Sequence, residues 1–400
     1  MQPIGAVGLD EVSGLTTPIA RFLDGNTDTP TPFLVFDLDV VALRYRQLRE
    51  ALPAAKVFYA VKANPAEEVL TALEQLGSSF DVASRGEIER CLRIGIDPER
   101  LAYGNTIKKE RDVAFAYEVG VRTFTVDAEA ELEKIVRQAP GSTVYVRIAT
   151  DGTGADWPLS RKFGCDLAEA AVLMRRSAWA GLEFGASFHV GSQQRDVRAW
   201  DRPLADVGAL LDQLRSEGLE AAGINLGGGF PSHYVDPVPE LGAYGTAIRA
   251  ALAVNLGGFA GEVLVEPGRY LVGDAGVIET EVVLISRRPD NDEARWVYLD
   301  IGMFNGLTET LDESIRYRVG TPGDRANQGP VVLAGPSCDS ADVLYEKAGY
   351  QLPLDLRIGD RVRLLSTGAY TSSYSSVWFN GFEPLRCFFV SSHDQRVVAA

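Results

Sequence analysis

A short apolar, β-branched run recurs eight times between residues 57 and 272, and each of the first seven runs leads into a helix-like stretch. Stretches such as Ala66–Leu76 and Ala128–Arg137 carry apolar residues at helical spacing and charged residues on the opposite face. Strands that are apolar throughout are typical of a parallel sheet covered on both faces. Eight such strands, seven of them followed by a helix-like stretch, therefore predict a parallel (β/α)8 barrel, the TIM barrel. The expected strands are Val57–Val61, Ser79–Ala83, Leu101–Tyr103, Thr123–Val126, Thr143–Ile148, Phe184–Val190, Gly223–Leu226 and Val263–Glu266.

The chain changes character after about residue 273, where short strand-like runs are separated by turns that contain Gly, Pro and Asp. Long helices are scarce there, so this part predicts a separate C-terminal all-β domain, a sandwich or a barrel. The early run Phe33–Phe36 is expected to pair with it. We therefore expect a barrel over residues 36–272 and a β domain formed by residues 1–35 and 273–400. An open, doubly wound sheet stays the alternative to the barrel, because strand order cannot be read from a sequence.

Polar residues and a glycine turn stand at the ends of the eight expected barrel strands. In a barrel these C-terminal ends lie on one face, where active sites are built. A series of this kind predicts a shared pocket. The strand ends carry Lys62, Ser84, Asn105, Asp127, Arg147, His189, the turn Gly227-Gly228-Gly229, and Glu266.

Charge and composition exclude several classes of function. The formal net charge of −16 argues against nucleic acid or an anionic membrane as a partner, since both would repel the chain. No apolar run reaches the roughly 18 residues of a transmembrane helix, and residues 1–31 lack the features of a secretory signal, so we expect a cytoplasmic protein. The four cysteines form no CxxC pair, and neither a metal site nor a disulfide framework is expected.

Lys62 follows the first expected strand and is flanked by apolar and small residues. A partly desolvated lysine amine at a barrel mouth is a nucleophile for an aldehyde, although a lysine in a rim salt bridge is the alternative. Two later motifs, Gly227-Gly228-Gly229 and Glu266-Pro267-Gly268-Arg269, follow the last two strands. Loops at those positions commonly bind phosphate through backbone N–H groups and a cation. Together these features favour pyridoxal phosphate as the cofactor.

The remaining candidates fit that cofactor. A carboxylate such as Glu266 beside the pyridine nitrogen would keep it protonated, whereas an arginine there would suit a racemase. His189 could stack on the ring, unless it is a hydrogen-bonded core histidine, and Ser192 offers a hydroxyl to the phosphate. In Cys338-Asp339, the thiol could protonate a carbanion and the carboxylate could bind an amine, unless Cys338 is a buried structural cysteine. Tyr370 could reach a phosphate or simply pack.

Assembled in order, these motifs resemble the ornithine/diaminopimelate/arginine decarboxylase family, the fold-type III pyridoxal-phosphate decarboxylases with an alanine-racemase-like barrel. The resemblance extends from about Pro32 to Phe382. Two segments, Tyr103–Glu110 and Leu159–Gly164, resemble the shorter bacterial ornithine decarboxylases in particular. The motifs are those around Lys62, Asp81, His189, Gly228, Glu266 and Cys338, together with Phe379-Asn380-Gly381-Phe382.

The resemblance implies a role for each matching position. Lys62 would hold the cofactor as a Schiff base, Glu266 would pair with the pyridine nitrogen, and His189 would stack on the ring. Family members are homodimers whose active sites lie at the interface, so Cys338 as proton donor and Asp339 as amine ligand would act across it. Asp81 and Arg147 would support the site, and the phosphate would be held by Ser192, Gly228, Gly229, Gly268, Arg269 and Tyr370.

Substrate choice depends on the segment Phe304–Thr310. Eukaryotic ornithine decarboxylases carry a Tyr-Asp pair where this chain has Glu309-Thr310, so Glu309 is the candidate ligand for the distal amine. The resemblance implies decarboxylation of a small cationic amino acid, L-ornithine to putrescine, with L-lysine to cadaverine as a further activity. Lysine, arginine or diaminopimelate as the main substrate, a racemase, and a non-catalytic regulatory homologue are the alternatives.

Overall fold

The computed structural model describes residues 3–8, 15–159, 161–288, 291–323 and 326–392. Ser160 of the Leu159–Gly164 motif lies outside the described residues, as do the parts of the expected β domain that fall in the gaps and after residue 392. The chain forms two compact units. The barrel unit comprises Ala42–Pro231 and Val238–Tyr270, and the β unit comprises the described residues of Met1–Val41, Ser232–Pro237 and Leu271–Ala400. The domain boundaries expected at residues 36 and 272 stay predictions.

The barrel unit contains eight parallel strands that close on themselves. Closure is made by the last and first strands, in which Val263 lies opposite Ala55. The predicted barrel is therefore confirmed, and the open sheet is excluded. The strands are β1 Ala55–Ala60, β2 Ser79–Val82, β3 Leu101–Tyr103, β4 Thr123–Val126, β5 Thr143–Arg147, β6 Glu183–Ser187, β7 Gly223–Asn225 and β8 Glu262–Val265.

Helices follow the strands because their apolar stripes need the outer face of the sheet. Ser84 begins one helix as its N-cap: its Oγ accepts from the Glu87 N–H at 3.3 Å, and Glu87 Oε2 accepts from the Ala83 N–H at 2.7 Å. These two hydrogen bonds, one donated by the third helical N–H and one by the N–H of the residue before the N-cap, start the helix directly after β2. The helices that begin in the barrel unit are Glu67–Gln75, Arg85–Arg93, Glu110–Glu118, Glu129–Gln138, Leu167–Trp179, Asp201–Ser216, Leu241–Asn255 and the short Arg269–Val272; Leu38–Ala51 precedes β1.

The barrel interior is filled rather than open. Phe58, Ala102, Tyr145 and Leu264 form one buried cluster from β1, β3, β5 and β8. An apolar interior of this kind leaves the C-terminal strand ends as the place for polar groups. A small antiparallel pair of strands, Ala155–Trp157 with Ser192–Gln194, was not expected from the sequence. The sixth expected strand ends early, at Ser187, and the chain turns before Ser192–Gln194 pairs with Ala155–Trp157.

The β unit is built around the long strand Gly276–Arg288. Phe33–Asp37 pairs with it antiparallel, Phe36 opposite Gly276, so the expected partner of the early strand is confirmed. Phe22 of the helix Thr17–Gly25 packs in a buried cluster with Phe33 and Phe388. The other strands are Ile4–Gly5, Val7–Gly8, Asn291–Leu299, Val319–Thr321, Gln328–Ala334, Val343–Tyr345, Tyr350–Pro353, Arg361–Leu365 and Arg386–Val390.

The helices are short and carry charged faces; Asp201–Ser216, for example, has 16 residues. Among the residues that the structure describes, no helix has the length and apolar character needed to cross a bilayer.

Candidate active site

Lys62 and Asp81 meet at the C-terminal ends of neighbouring strands. Lys62 lies in a short 3-10 turn, Val61–Ala63, directly after β1, and Asp81 belongs to β2. The Lys62 Nζ atom lies 3.0 Å from Asp81 Oδ2. The lysine side chain is 48% exposed and the aspartate side chain only 4%. A buried carboxylate therefore holds a lysine amine that a ligand can reach.

The other carboxylate oxygen of Asp81 has a different environment. Oδ1 is buried and has no hydrogen-bond partner among the described residues. Gly104, just after β3, keeps the space beside it open, because a Cβ there would lie 2.0 Å from this oxygen. A buried carboxylate oxygen without a partner is costly. It is therefore suited to receive a polar group of a bound molecule.

His189 lies in the loop after β6. Its Nδ1 accepts a hydrogen bond from the Gly191 N–H at 3.0 Å, so the proton of the neutral ring belongs on Nε2. Burial, and then the positive charges of Arg147 and Lys62, hold the pKa of His189 well below its ordinary value. Burial also lowers the pKa of Arg147, at the end of β5. A neutral imidazole can stack on an aromatic ring without adding a charge to the site.

Glu266 follows β8 and is held by Asn225, the last residue of β7. The Asn225 Nδ2 group donates to Glu266 Oε1 at 2.5 Å. Burial first, and then the charge of Asp81, raise the pKa of Glu266 to about 7, against the opposing effects of Lys62, Asn225 and Arg147. The carboxyl group can therefore share a proton with a nearby ring nitrogen near neutral pH.

Ser192, Arg269 and the glycine turn Gly227–Gly229 carry groups that can bind an oxyanion. Arg269 is buried, and its Nε and Nη2 atoms lie 3.2 and 3.1 Å from Ser192 Oγ. Gly229 has a φ of +107°. At Gly228, a Cβ would lie 2.5 Å from the Glu266 carbonyl oxygen and 3.1 Å from His189 Nε2. Only glycine fits there, because the turn packs against both neighbours.

Gly268 precedes Arg269 and is buried. The structure thus brings Lys62, Asp81, Arg147, His189, Ser192, Gly228, Gly229, Glu266, Gly268 and Arg269 to the C-terminal face of a single barrel. What each of them does to a cofactor stays a prediction.

The other sequence candidates lie in the β unit. Cys338 and Asp339 are both exposed in the turn after Gln328–Ala334. The Cys338 N–H donates to Asn380 Oδ1 at 2.7 Å, which fixes the backbone of the thiol residue. Asp339 Oδ1 accepts from the Ala341 N–H at 2.9 Å. A thiol and a carboxylate are thus presented side by side on this unit, and the alternative of a buried structural cysteine does not apply to Cys338.

Glu309 and Tyr370 have less accessible positions. Glu309, the candidate ligand for a distal amine, is only 5% exposed and lies in the 3-10 segment Thr308–Glu313. Tyr370 is half-buried and has a φ of +54°. Their contacts with substrate and phosphate stay predictions.

Two residues that the sequence did not single out organise these sites. Asn225 is one, and the signal was present, since it is the polar last residue of β7 and stands two residues before Gly227, the first residue of the glycine motif. Asp342 is the other: its Oδ1 accepts from the Met303 N–H at 2.7 Å and its Oδ2 from the Ser337 N–H at 3.0 Å. It ties the segment before Phe304 to the segment that carries Cys338. Nothing local marks Asp342, because Met303 is distant in sequence.

The groups at the barrel face match those of pyridoxal phosphate. Lys62 would supply an amine for its aldehyde, Glu266 a carboxylate for its pyridine nitrogen, and Ser192 with Arg269 donors for its phosphate. The unpartnered Asp81 oxygen adds a buried acceptor beside the amine. The donor set therefore fits this cofactor.

Comparison with known proteins gives the same cofactor and reaction class. Residues 38–273 match the family model described as pyridoxal-dependent decarboxylase, pyridoxal binding domain. A lysine/ornithine decarboxylase from Selenomonas ruminantium is 37% identical over 356 residues, which is 88% of each chain. An ornithine decarboxylase from Schizosaccharomyces pombe is 33% identical, over 90% of this chain and 83% of the other.

Among solved structures, a lysine/ornithine decarboxylase from Vibrio vulnificus complexed with putrescine is 30% identical. It superposes with a TM-score of 0.83 over 94% of this chain and 99% of the other. The likeness extends through both units and not the barrel alone. The chain belongs to the pyridoxal-dependent decarboxylases.

Proposed function

We propose that this chain decarboxylates L-ornithine to putrescine and CO2, and L-lysine to cadaverine. Two contacts at one barrel face carry the proposal. The accessible Lys62 amine forms an ion pair with Asp81, and the Glu266 carboxyl group accepts a hydrogen bond from Asn225. The substrates follow from relatives that are named lysine/ornithine and ornithine decarboxylases.

The chain's own residues have separable tasks in this proposal. Lys62 binds the cofactor aldehyde, and Glu266 holds a proton at the pyridine nitrogen. Ser192, Gly228, Gly229, Gly268, Arg269 and Tyr370 bind the phosphate. Bound pyridoxal phosphate supplies an electron sink for the electron pair that is released when the bond from Cα to the carboxylate breaks.

His189 excludes water from one face of the cofactor, and Asp81 and Arg147 hold the polar groups around it in place. Cys338 returns a proton to Cα, which completes the exchange of CO2 for a proton. Asp339 and Glu309 bind the distal ammonium group of the substrate. Because Cys338 and Asp339 are exposed in the β unit, we propose that they act on the site of a partner subunit in a homodimer. The cytoplasmic location expected from the sequence stays a prediction.

The discriminating experiment measures amine products and CO2 from ornithine, lysine, arginine and diaminopimelate. We expect putrescine and CO2 in equal amounts from ornithine, and cadaverine and CO2 from lysine. One methylene changes discrimination by about 10- to 200-fold, so the two substrates should differ within that range. If agmatine is the main product, the main substrate is arginine and not ornithine. Cofactor binding without release of CO2 from any substrate would favour a racemase or a regulatory homologue.

A further inference from the structure

One buried amide connects the two ends of the expected cofactor site. Asn225 is 3% exposed at the end of β7. Its Nδ2 group donates to Glu266 Oε1 at 2.5 Å, and its Oδ1 accepts from the Gly227 N–H at 2.9 Å. Glu266 is the carboxyl group assigned to the pyridine nitrogen, and Gly227 begins the turn assigned to the phosphate. A single side chain thus has one hydrogen bond to each part.

The polarity of this amide matters as much as its shape. A donor to a carboxylate favours the ionised form, whereas burial and the neighbouring Asp81 favour the protonated form. Aspartate has nearly the shape of asparagine and would keep the acceptor for the Gly227 N–H. It would, however, place a second carboxylate beside Glu266. The two functions of Asn225 can therefore be separated by one substitution.

We propose that Asn225 is a positioning residue that orients Glu266 toward the pyridine nitrogen, favours its ionised form, and fixes the glycine turn in register with it. The inference rests on the proposed role of Glu266. The other charged groups acting on Glu266 are Asp81 from β2, Lys62 after β1 and Arg147 from β5. None of them is changed in the variants below.

The first test compares Asn225→Asp with the wild type, by titrating the apoenzyme with pyridoxal phosphate at several pH values. A hydrogen bond to a charged group is lost, so we expect affinity to fall by about tenfold or more. The pH dependence of affinity should also shift upward, because two adjacent carboxyl groups share protons as a pair. Unchanged affinity and pH dependence would overturn the proposal.

The second test exchanges donor and acceptor. In Asn225→Asp/Glu266→Gln, the new glutamine amide can donate to the new aspartate, and the pair carries one negative charge as before. We expect the thermal midpoint of the apoenzyme, lowered by Asn225→Asp, to recover in the double variant. Pyridoxal phosphate affinity should not recover, since a glutamine amide in place of the Glu266 carboxyl group cannot share a proton with the ring nitrogen. If the changes in thermal midpoint of the two single variants simply add in the double variant, a direct interaction between Asn225 and Glu266 is contradicted.

Asn105 provides the matched control. It follows β3, and among the residues that the structure describes its amide bonds only to main-chain atoms, donating to Ala83 O at 3.1 Å and accepting from the Ile107 N–H at 3.1 Å. Asn105→Asp should lose stability in a way that Glu266→Gln does not rescue. If Glu266→Gln alone leaves cofactor affinity and its pH dependence unchanged, the proposed role of Glu266 fails, while the thermal cycle still decides whether Asn225 holds it.

Discussion

Arg269 reaches Ser192 with two nitrogen atoms of its guanidinium group, Nε at 3.2 Å and Nη2 at 3.1 Å from the same Oγ. The planar fork is thereby fixed in orientation while it is buried at the barrel face. A fixed fork can give two parallel hydrogen bonds to a phosphate, which a flexible ammonium group cannot.

Arg269→Lys keeps the charge and removes the fork. We expect the affinity of the apoenzyme for pyridoxal phosphate to fall by about 10- to 100-fold, since one charge-assisted hydrogen bond and the orientation are lost. Equilibrium dialysis against the cofactor measures this. Arg249→Lys, at an exposed position of the helix Leu241–Asn255, is the control and should bind normally. Equal affinity in both variants would remove Arg269 from the phosphate site.

Lys62→Ala should abolish the visible absorbance that pyridoxal phosphate gains on binding a lysine amine. Decarboxylation should fall by several orders of magnitude, because the amine that Asp81 holds at this position is lost. Spectrophotometry and CO2 release measure the two effects. Lys56→Ala, at an exposed position of β1 in an ion pair with Glu262, is the control and should keep both properties. Normal turnover by Lys62→Ala would refute the assignment.

The lowered pKa of His189 predicts how stability depends on pH. Below about pH 6.5 the unfolded chain binds a proton at this position and the folded chain does not, so folding stability must fall as the pH falls. The loss approaches about 1.4 kcal/mol per pH unit and is absent above about pH 7. Thermal unfolding of wild type and His189→Gln between about pH 5 and 8 tests this. Parallel stability curves for the two proteins would mean that His189 takes up its proton equally in the folded and unfolded states, and would contradict the lowered pKa.

Cys338→Ala should retain cofactor binding and slow turnover, because the exposed thiol is the proposed donor of the Cα proton. Mixing Cys338→Ala with Lys62→Ala tests the partner arrangement. Random exchange of subunits in a C2 dimer makes half of the dimers mixed, each with one intact site, so about a quarter of wild-type activity should return. Activity no greater than that of the separate variants would place both residues on the same subunit's site.

The fold could be predicted from the sequence because it depends on local patterns. Each of the eight barrel strands begins within two residues of its expected start. Leu101–Tyr103 and Thr123–Val126 match the expectation at both ends. The largest difference concerns the run Phe184–Val190, where the strand ends at Ser187 and His189 lies in a loop. Its apolar residues Phe188 and Val190 are buried after the strand has ended, so hydrophobicity alone could not locate the boundary.

Side-chain identity at the strand ends was likewise visible in the sequence, and it indicated Lys62, Glu266 and Arg269 together with their cofactor. The pairings required the tertiary structure. Asn225 with Glu266, Lys62 with Asp81 and Asp342 with Met303 each join segments between 19 and 41 residues apart. A difference of a few tenths of an ångström between donor and acceptor decides whether such a hydrogen bond forms. Strand register and barrel closure set these distances. The sequence by itself determined which chemical groups this protein has and on which face of a barrel they lie; only the tertiary structure decided which of them touch, because contact is a property of packed strands and not of the order of residues.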